Sequence, residues 1–192
     1  MRRITKVSAI FAAATAALTI GLTPASADVV DSTISGGTLT ATTYGATLTG
    51  VTLDGSNTQT ATGNASSEWI ITDARGTGSA WALSVSATTP TSAAGTEESV
   101  PRTIPVSGLT ITPGTITAGA GSDSAATIAA PALALSTSSQ ALVSTVGQNM
   151  GSYTLAPAFS LAIPANAYRS NYAVGASGAL NPYTSTITYT IG

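Results

Sequence analysis

Two stretches near the end of the chain alternate strictly between apolar and small or hydroxylic residues. Tyr153, Leu155, Phe159, Leu161 and Ile163 all occupy odd positions. Further on, Tyr183, Ser185, Ile187, Tyr189 and Ile191 face one way, and Thr184, Thr186, Thr188 and Thr190 face the other. A period of two marks a strand with one buried and one wet face. Trp69 and Ile71 share a face in an earlier run. Trp81, Leu83 and Val85 share another, with Ala82, Ser84 and Ser86 opposite. Shorter alternations lie at 38–43 and at 47–53, the latter changing phase at Gly50, as a bulge would.

The punctuation between these runs is that of an all-β chain. Pro101 and Pro105 interrupt Val100 to Val106 and assign it to a sheet edge. Pro113-Gly114 marks a turn between Leu109-Thr-Ile-Thr and Thr115-Ile-Thr. Residues 125–135 are rich in Ala, but Pro131 and the alternation of Leu133 and Leu135 favour strand over helix. Residues 28–35, 54–67 and 170–181 read as loops. No internal repeat of roughly 20–50 residues is present. Many short strands joined by Gly, Pro and Ser turns predict a single antiparallel β-sandwich of Greek-key or jelly-roll type. Its strands are rich in Thr and Ser, which make up about a third of residues 28–192.

The first 27 residues stand apart. Arg2, Arg3 and Lys6 precede an apolar run from Val7 to Leu22, and Pro24-Ala-Ser-Ala27 supplies small residues in an A-x-A pattern. These are the three regions of a secretory signal peptide, and the run is shorter than the roughly 20 residues that span a bilayer. Cleavage after Ala27 is expected to leave residues 28–192 as one secreted domain without a transmembrane segment. No C-terminal apolar tail, sorting motif or lipobox Cys is visible. That domain keeps three basic residues (Arg75, Arg102 and Arg169) against eight acids, a net charge of −5.

Composition narrows the chemistry. The chain has no His and no Cys, which removes the usual ligands of zinc, haem and iron–sulfur clusters and both the Ser-His-Asp and Cys-His forms of catalysis. A net acidic domain without Lys is not built to neutralise phosphates, so no nucleic-acid partner is expected. Asp54-Gly-Ser-Asn57 resembles a fragment of a calcium loop but lacks its further acids and its closing Glu. Glu97-Glu98 reads as a solvated charge pair, and Asn64-Ala-Ser66 fits a glycosylation sequon. No catalytic residue, metal site or cofactor is expected, although paired carboxylates of a secreted hydrolase leave no mark in sequence.

Residues 68–87 are the most informative segment. They read as a β-hairpin whose loop, Asp73-Ala-Arg-Gly-Thr-Gly78, has glycines at Gly76 and Gly78 that permit positive φ. Asp73 either pairs with Arg75 or accepts backbone N–H groups in the turn, and the loop tip is also a candidate polar contact for a partner. Trp69 reads as a core anchor in preference to an aromatic platform. Trp81 is either a second anchor or an aromatic platform for a sugar or peptide.

The run Trp69-Ile-Ile-Thr-Asp-Ala-Arg-Gly-Thr-Gly-Ser-Ala-Trp81-Ala-Leu83 resembles the first signature of the WxL domain, found on surface-attached proteins of Gram-positive bacteria. Gly151-Ser-Tyr153 to Pro157 with Leu161-Ala-Ile-Pro164 resembles that family's penultimate strand. Tyr183 to Ile191 resembles its closing strand, with Tyr189-Thr-Ile191 in place of Trp-x-Leu, and the stretch Arg169 to Pro182 is longer than the family pattern. The resemblance implies non-covalent attachment to the cell wall, through peptidoglycan or other cell-surface proteins. It makes Trp81, Leu83, Tyr189 and Ile191 the binding candidates. The expectation is therefore a secreted, non-catalytic cell-surface protein. The alternative is a self-assembling surface or fibre subunit that uses β-strand addition.

Overall fold

The computed structural model describes residues 31–95, 99–172 and 180–192, with Tyr172 described by its backbone. The segment expected to be a signal peptide and Glu97-Glu98 lie outside the described residues. The account below concerns the unit Ser35–Gly192. The chain is nearly all β, 39% strand against 4% helix, as its alternation predicts. Its sheets are antiparallel and none closes into a barrel.

Thirteen strands are described: β1 (Leu39–Thr42), β2 (Gln59–Asn64), β3 (Trp69–Asp73), β4 (Ala82–Ala87), β5 (Leu109–Thr112), β6 (Thr117–Ala118), β7 (Leu133–Ala134), β8 (Gln140–Ser144), β9 (Gly151–Leu155), β10 (Ala158–Ile163), β11 (Asn171–Tyr172), β12 (Leu180–Asn181) and β13 (Ile187–Ile191). They form sheets in the orders β1-β3-β9-β6, β2-β10-β5-β7 and β13-β4-β8, with β11-β12 as a separate pair. Buried side chains from the three larger sheets meet in one core: Trp69 and Tyr153 from the first, Ile111 and Phe159 from the second, Leu83 and Val143 from the third.

The strand faces follow the sequence pattern, and the pairings depart from it. Residues 68–87 are not a hairpin. β3 lies between β1 and β9, while β4 lies between β13 and β8, so neither strand has an edge left for the other. The Asp73–Trp81 segment carries the chain from one sheet to another. Tyr153–Ile163 is likewise not one strand. It bends at Ala156-Pro157, where proline cannot continue a ladder, and β9 and β10 join different sheets without losing the odd-numbered inward face.

Two further expectations are corrected. Residues 47–53 keep their alternation of half-buried and exposed side chains, including the change of phase at Gly50, but form no strand. They run beside β2, where Thr49 N–H donates to the Thr62 carbonyl (2.8 Å) while Thr62 N–H goes to the Thr49 hydroxyl (3.1 Å). A hydroxyl takes the place of a ladder carbonyl, and regular pairing stops there. Conversely, β2 lies inside the stretch 54–67 that reads as loop, and β11 and β12 fall within 170–181. Among the described residues no helix is long and apolar enough to cross a membrane.

Candidate functional site

The corner between β3 and β4 is built around one carboxylate. Asp73 ends the inward face begun by Trp69 and Ile71 and is 2% exposed. Arg75 answers it twice, with Nε donating to Oδ1 and Nη2 to Oδ2, both at 2.9 Å. Arg75 N–H also donates to Oδ1 (3.0 Å), so the ion pair and the backbone turn, alternatives in the sequence, coexist. The same Nη2 reaches the Ser79 carbonyl (2.9 Å) and ties the far side of the loop to the near side. Gly76 and Gly78 take positive φ, 68° and 65°, which lets six residues close around the guanidinium. The hydrogen bonds from Arg75 hold the Asp73 carboxyl below its ordinary pKa, against the opposing effect of burial. A carboxylate whose oxygens are spent on its own loop shapes a corner and offers little to a partner.

Both tryptophans are internal. Trp69 is 0% exposed, donates its indole N–H to the Tyr44 carbonyl (2.9 Å), and meets Tyr189 edge to face at 4.9 Å between ring centroids. Trp81 is 2% exposed, and its indole N–H donates to the Asn149 carbonyl (3.0 Å). Its backbone N–H goes to the Thr145 hydroxyl (2.9 Å), and Thr145 N–H returns to its carbonyl (3.0 Å). Asn149 is held in turn by bonds to Ser124 and Thr127. Trp81 is therefore an anchor and presents no platform to a ligand.

The two signature-like segments come together as strands. In the β4–β13 ladder Leu83 stands opposite Ile191 and Val85 opposite Tyr189. Leu83 is fully buried, and Tyr189 and Ile191 are half-buried. Of the four binding candidates, Trp81 and Leu83 are closed to direct contact, and Tyr189 and Ile191 are accessible along the rim of the core. The Tyr189 hydroxyl is covered and meets no hydrogen-bond partner, and burial raises its pKa well above the ordinary value.

The outer face of the β13-β4 pair shows hydroxyls to solvent. Thr188 and Thr190 pair with Ser86 and Ser84 on the outer face of β13-β4. On the outer face of β2-β10-β5 a trough of about 340 Å³ is lined by Thr49, Thr62, Asn64, Thr112 and Ser160 together with Gly63, Ala158 and Phe159. No charged side chain lines it. Sequence reasoning misses these residues because β2 reads as loop. The usable signal is the hydroxyl alternation of Thr60 and Thr62, extended by Asn64 of the sequon, which is exposed at the rim.

Two further acids, Asp54 and Asp123, accept hydrogen bonds away from the trough. Asp54 accepts from Ser56 N–H, Asn57 N–H and the Gln59 amide, which makes the calcium-like fragment a self-satisfied turn. Asp123 accepts from Met150 N–H (2.8 Å). Among the described residues no group of three or more acids is placed to hold a metal ion. Comparison of the chain with protein-family models, with curated proteins and with solved structures finds no match.

Proposed function

We propose that the chain is a secreted, non-catalytic surface protein of WxL type, held non-covalently to a Gram-positive cell wall, with peptidoglycan glycan as the ligand of the β2-β10-β5 face. We read its three larger sheets as the layers of an antiparallel Greek-key or jelly-roll sandwich. The Trp69–Tyr189 contact between the first and third sheets supports that reading. So does the single core they share.

The observation that carries the function is the uncharged, hydroxyl-lined trough. Hydroxyls and an amide at fixed strand spacing suit a polymer that is itself lined with hydroxyls and amides. Each hydrogen bond contributes about 0.5–1.5 kcal/mol, so several along one strand face are required. Because the trough lacks charge, attachment depends little on salt. The signature-like segments act indirectly: they close the core behind the face that binds.

The test is co-sedimentation of residues 28–192 with purified peptidoglycan. Wild type pellets with the wall at low and high NaCl alike. A trough-filling variant, Thr62→Tyr with Ser160→Tyr, stays in the supernatant while keeping the wild-type circular dichroism spectrum. Wild type that fails to pellet rejects wall attachment. A filled trough that pellets normally rejects this face as the site.

A further inference from the structure

Strand β13 is the last strand of its sheet; β1 of the first sheet comes near it but forms no hydrogen bond with it. Reciprocal bonds join Ala82 and Gly192 (2.8 and 3.1 Å), and Thr88 N–H donates to the Thr186 carbonyl (2.9 Å). Those contacts fix which residues of β13 turn their N–H and C=O groups toward β4: Thr188 and Thr190 do, and Ile187, Tyr189 and Ile191 turn theirs away. Among the described residues nothing pairs with the outward groups. The side chains record the same opening. Leu83, Val85 and Ala87 on β4 are buried, whereas their partners Ile191, Tyr189 and Ile187 are half-buried.

Several other edges are blunted. β2 is covered by the Ala46–Ala65 bridge and the Thr49 bond. β8 follows an irregular register against β4 and is bridged at its end by Ala129. β6 and β7 are two residues long. β13 is five residues long, runs in continuous register, and contains no charge, proline or bulge. These are the devices by which sheet edges are protected, and here they are missing.

We propose that β13 pairs antiparallel with β13 of a second copy of this chain, centred on Tyr189. The strand is complementary to itself. About Tyr189, Ile187 falls opposite the other copy's Ile191, Tyr189 opposite Tyr189, and Thr188 opposite Thr190. Each pair matches aliphatic with aliphatic, aromatic with aromatic, or hydroxyl with hydroxyl, which are favourable cross-strand pairs. About six backbone hydrogen bonds form, and the β13-β4-β8 sheet runs on from one copy into the other. A two-fold axis closes the contact, so it yields a dimer and no filament. The interface is smaller than the roughly 1,200–2,000 Å² of stable complexes, which makes the dimer concentration-dependent. The pairing does not rest on wall binding, and it is measured in solution without wall.

Sedimentation velocity across a concentration series tests it. Wild type moves from monomer to dimer as concentration rises. Thr188→Lys with Thr190→Lys sets like charges opposite each other at two exposed positions and keeps the chain monomeric. Thr188→Lys with Thr190→Glu sets opposite charges there and restores the dimer. Separately, the chain has no Cys, so an oxidised mixture of Thr188→Cys and Thr190→Cys chains gives a disulfide-linked heterodimer in excess of either homodimer. Wild type that stays monomeric throughout overturns the proposal. So does a double-Lys variant that dimerises like wild type, or cross-linking without preference for the mixed pair.

Discussion

Leu83 faces Ile191 across the β4–β13 ladder, joining the two signature-like segments from the middle and the end of the sequence. The pair is unequal. Leu83 is sealed between strands on both sides, while Ile191 lies at the rim. Truncation should expose that inequality. Leu83→Ala is expected to cost about 3–4 kcal/mol, since a sealed site leaves a cavity that its surroundings fill poorly. Ile191→Ala is expected to cost about 1–2 kcal/mol, because solvent already reaches its side chain. Urea unfolding of both single variants and the double variant measures the coupling, and direct contact predicts a non-additive term of about 0.5 kcal/mol or more.

Asp73 predicts the acid limit of stability. Its pKa is lowered in the folded state, so its contribution is fully present above the ordinary value of 3.8 and is lost as pH falls through the lower folded value. Asp73→Asn removes a charge-assisted acceptor from a pair in which Asp73 is buried and Arg75 is partly exposed. Because solvent reaches the Arg75 guanidinium, the expected loss at neutral pH is about 1–2 kcal/mol. Thermal melts of wild type and Asp73→Asn should therefore converge as pH drops below 3.8. Curves that stay parallel would mean that the ion pair contributes nothing to the corner.

Tyr189 sets an alkaline limit by the opposite sign. Burial raises its pKa above the ordinary 10.0, so the folded state holds the proton more tightly. Tyr189 costs no pH-dependent stability below pH 10.0; above that value the unfolded chain ionises while the folded chain keeps the proton, so stability falls as pH rises. Tyr189→Phe removes a covered hydroxyl without a partner and keeps the ring on Trp69. The variant is expected to be more stable by about 1 kcal/mol at neutral pH, and the gain should widen at alkaline pH. Tyr153, whose pKa burial also raises, keeps some alkaline sensitivity in the variant.

The sequence was a good guide to faces and a poor one to partners, for a physical reason. Alternation records which side of a strand meets the core, and the inward sets at 69–73, 81–85 and 187–191 all appear where that rule puts them. Which strand lies alongside is decided by contacts distant in sequence, and alternation is silent on those. β3 and β4 therefore looked like a hairpin although each is already paired on both edges. The trough stayed hidden for a different reason. The inward face of β2 is Gln59, Ala61 and Gly63, without a large apolar residue, and at Gly63 a Cβ would collide with the Thr47 carbonyl. A strand that must admit a neighbouring backbone has no large apolar side chains to announce it. The Asp73–Arg75 pair was legible because both partners lie in one short loop, where residue type alone limits the geometry.

Two glycines test how far the backbone tolerates a side chain. Gly76 and Gly151 both take positive φ, 68° and 110°. A Cβ at Gly76 would enter open space, so Ala there meets backbone strain alone, about 1 kcal/mol. At Gly151 the same Cβ would run into Ser122, including its Cα at 2.7 Å. Ser122 cannot withdraw freely, because its hydroxyl accepts from Ser152 N–H (2.8 Å) and donates to the Ser152 carbonyl (3.1 Å). Gly151→Ala must therefore displace the start of β9, which pairs with β3 at Asp73. The expected cost is about 3 kcal/mol or more, combining strain with overpacking. Chemical denaturation of the two variants should separate them by at least about 2 kcal/mol. Equal, small losses would mean that the Ser122 loop moves aside and that the β9 corner is softer than its hydrogen bonds imply.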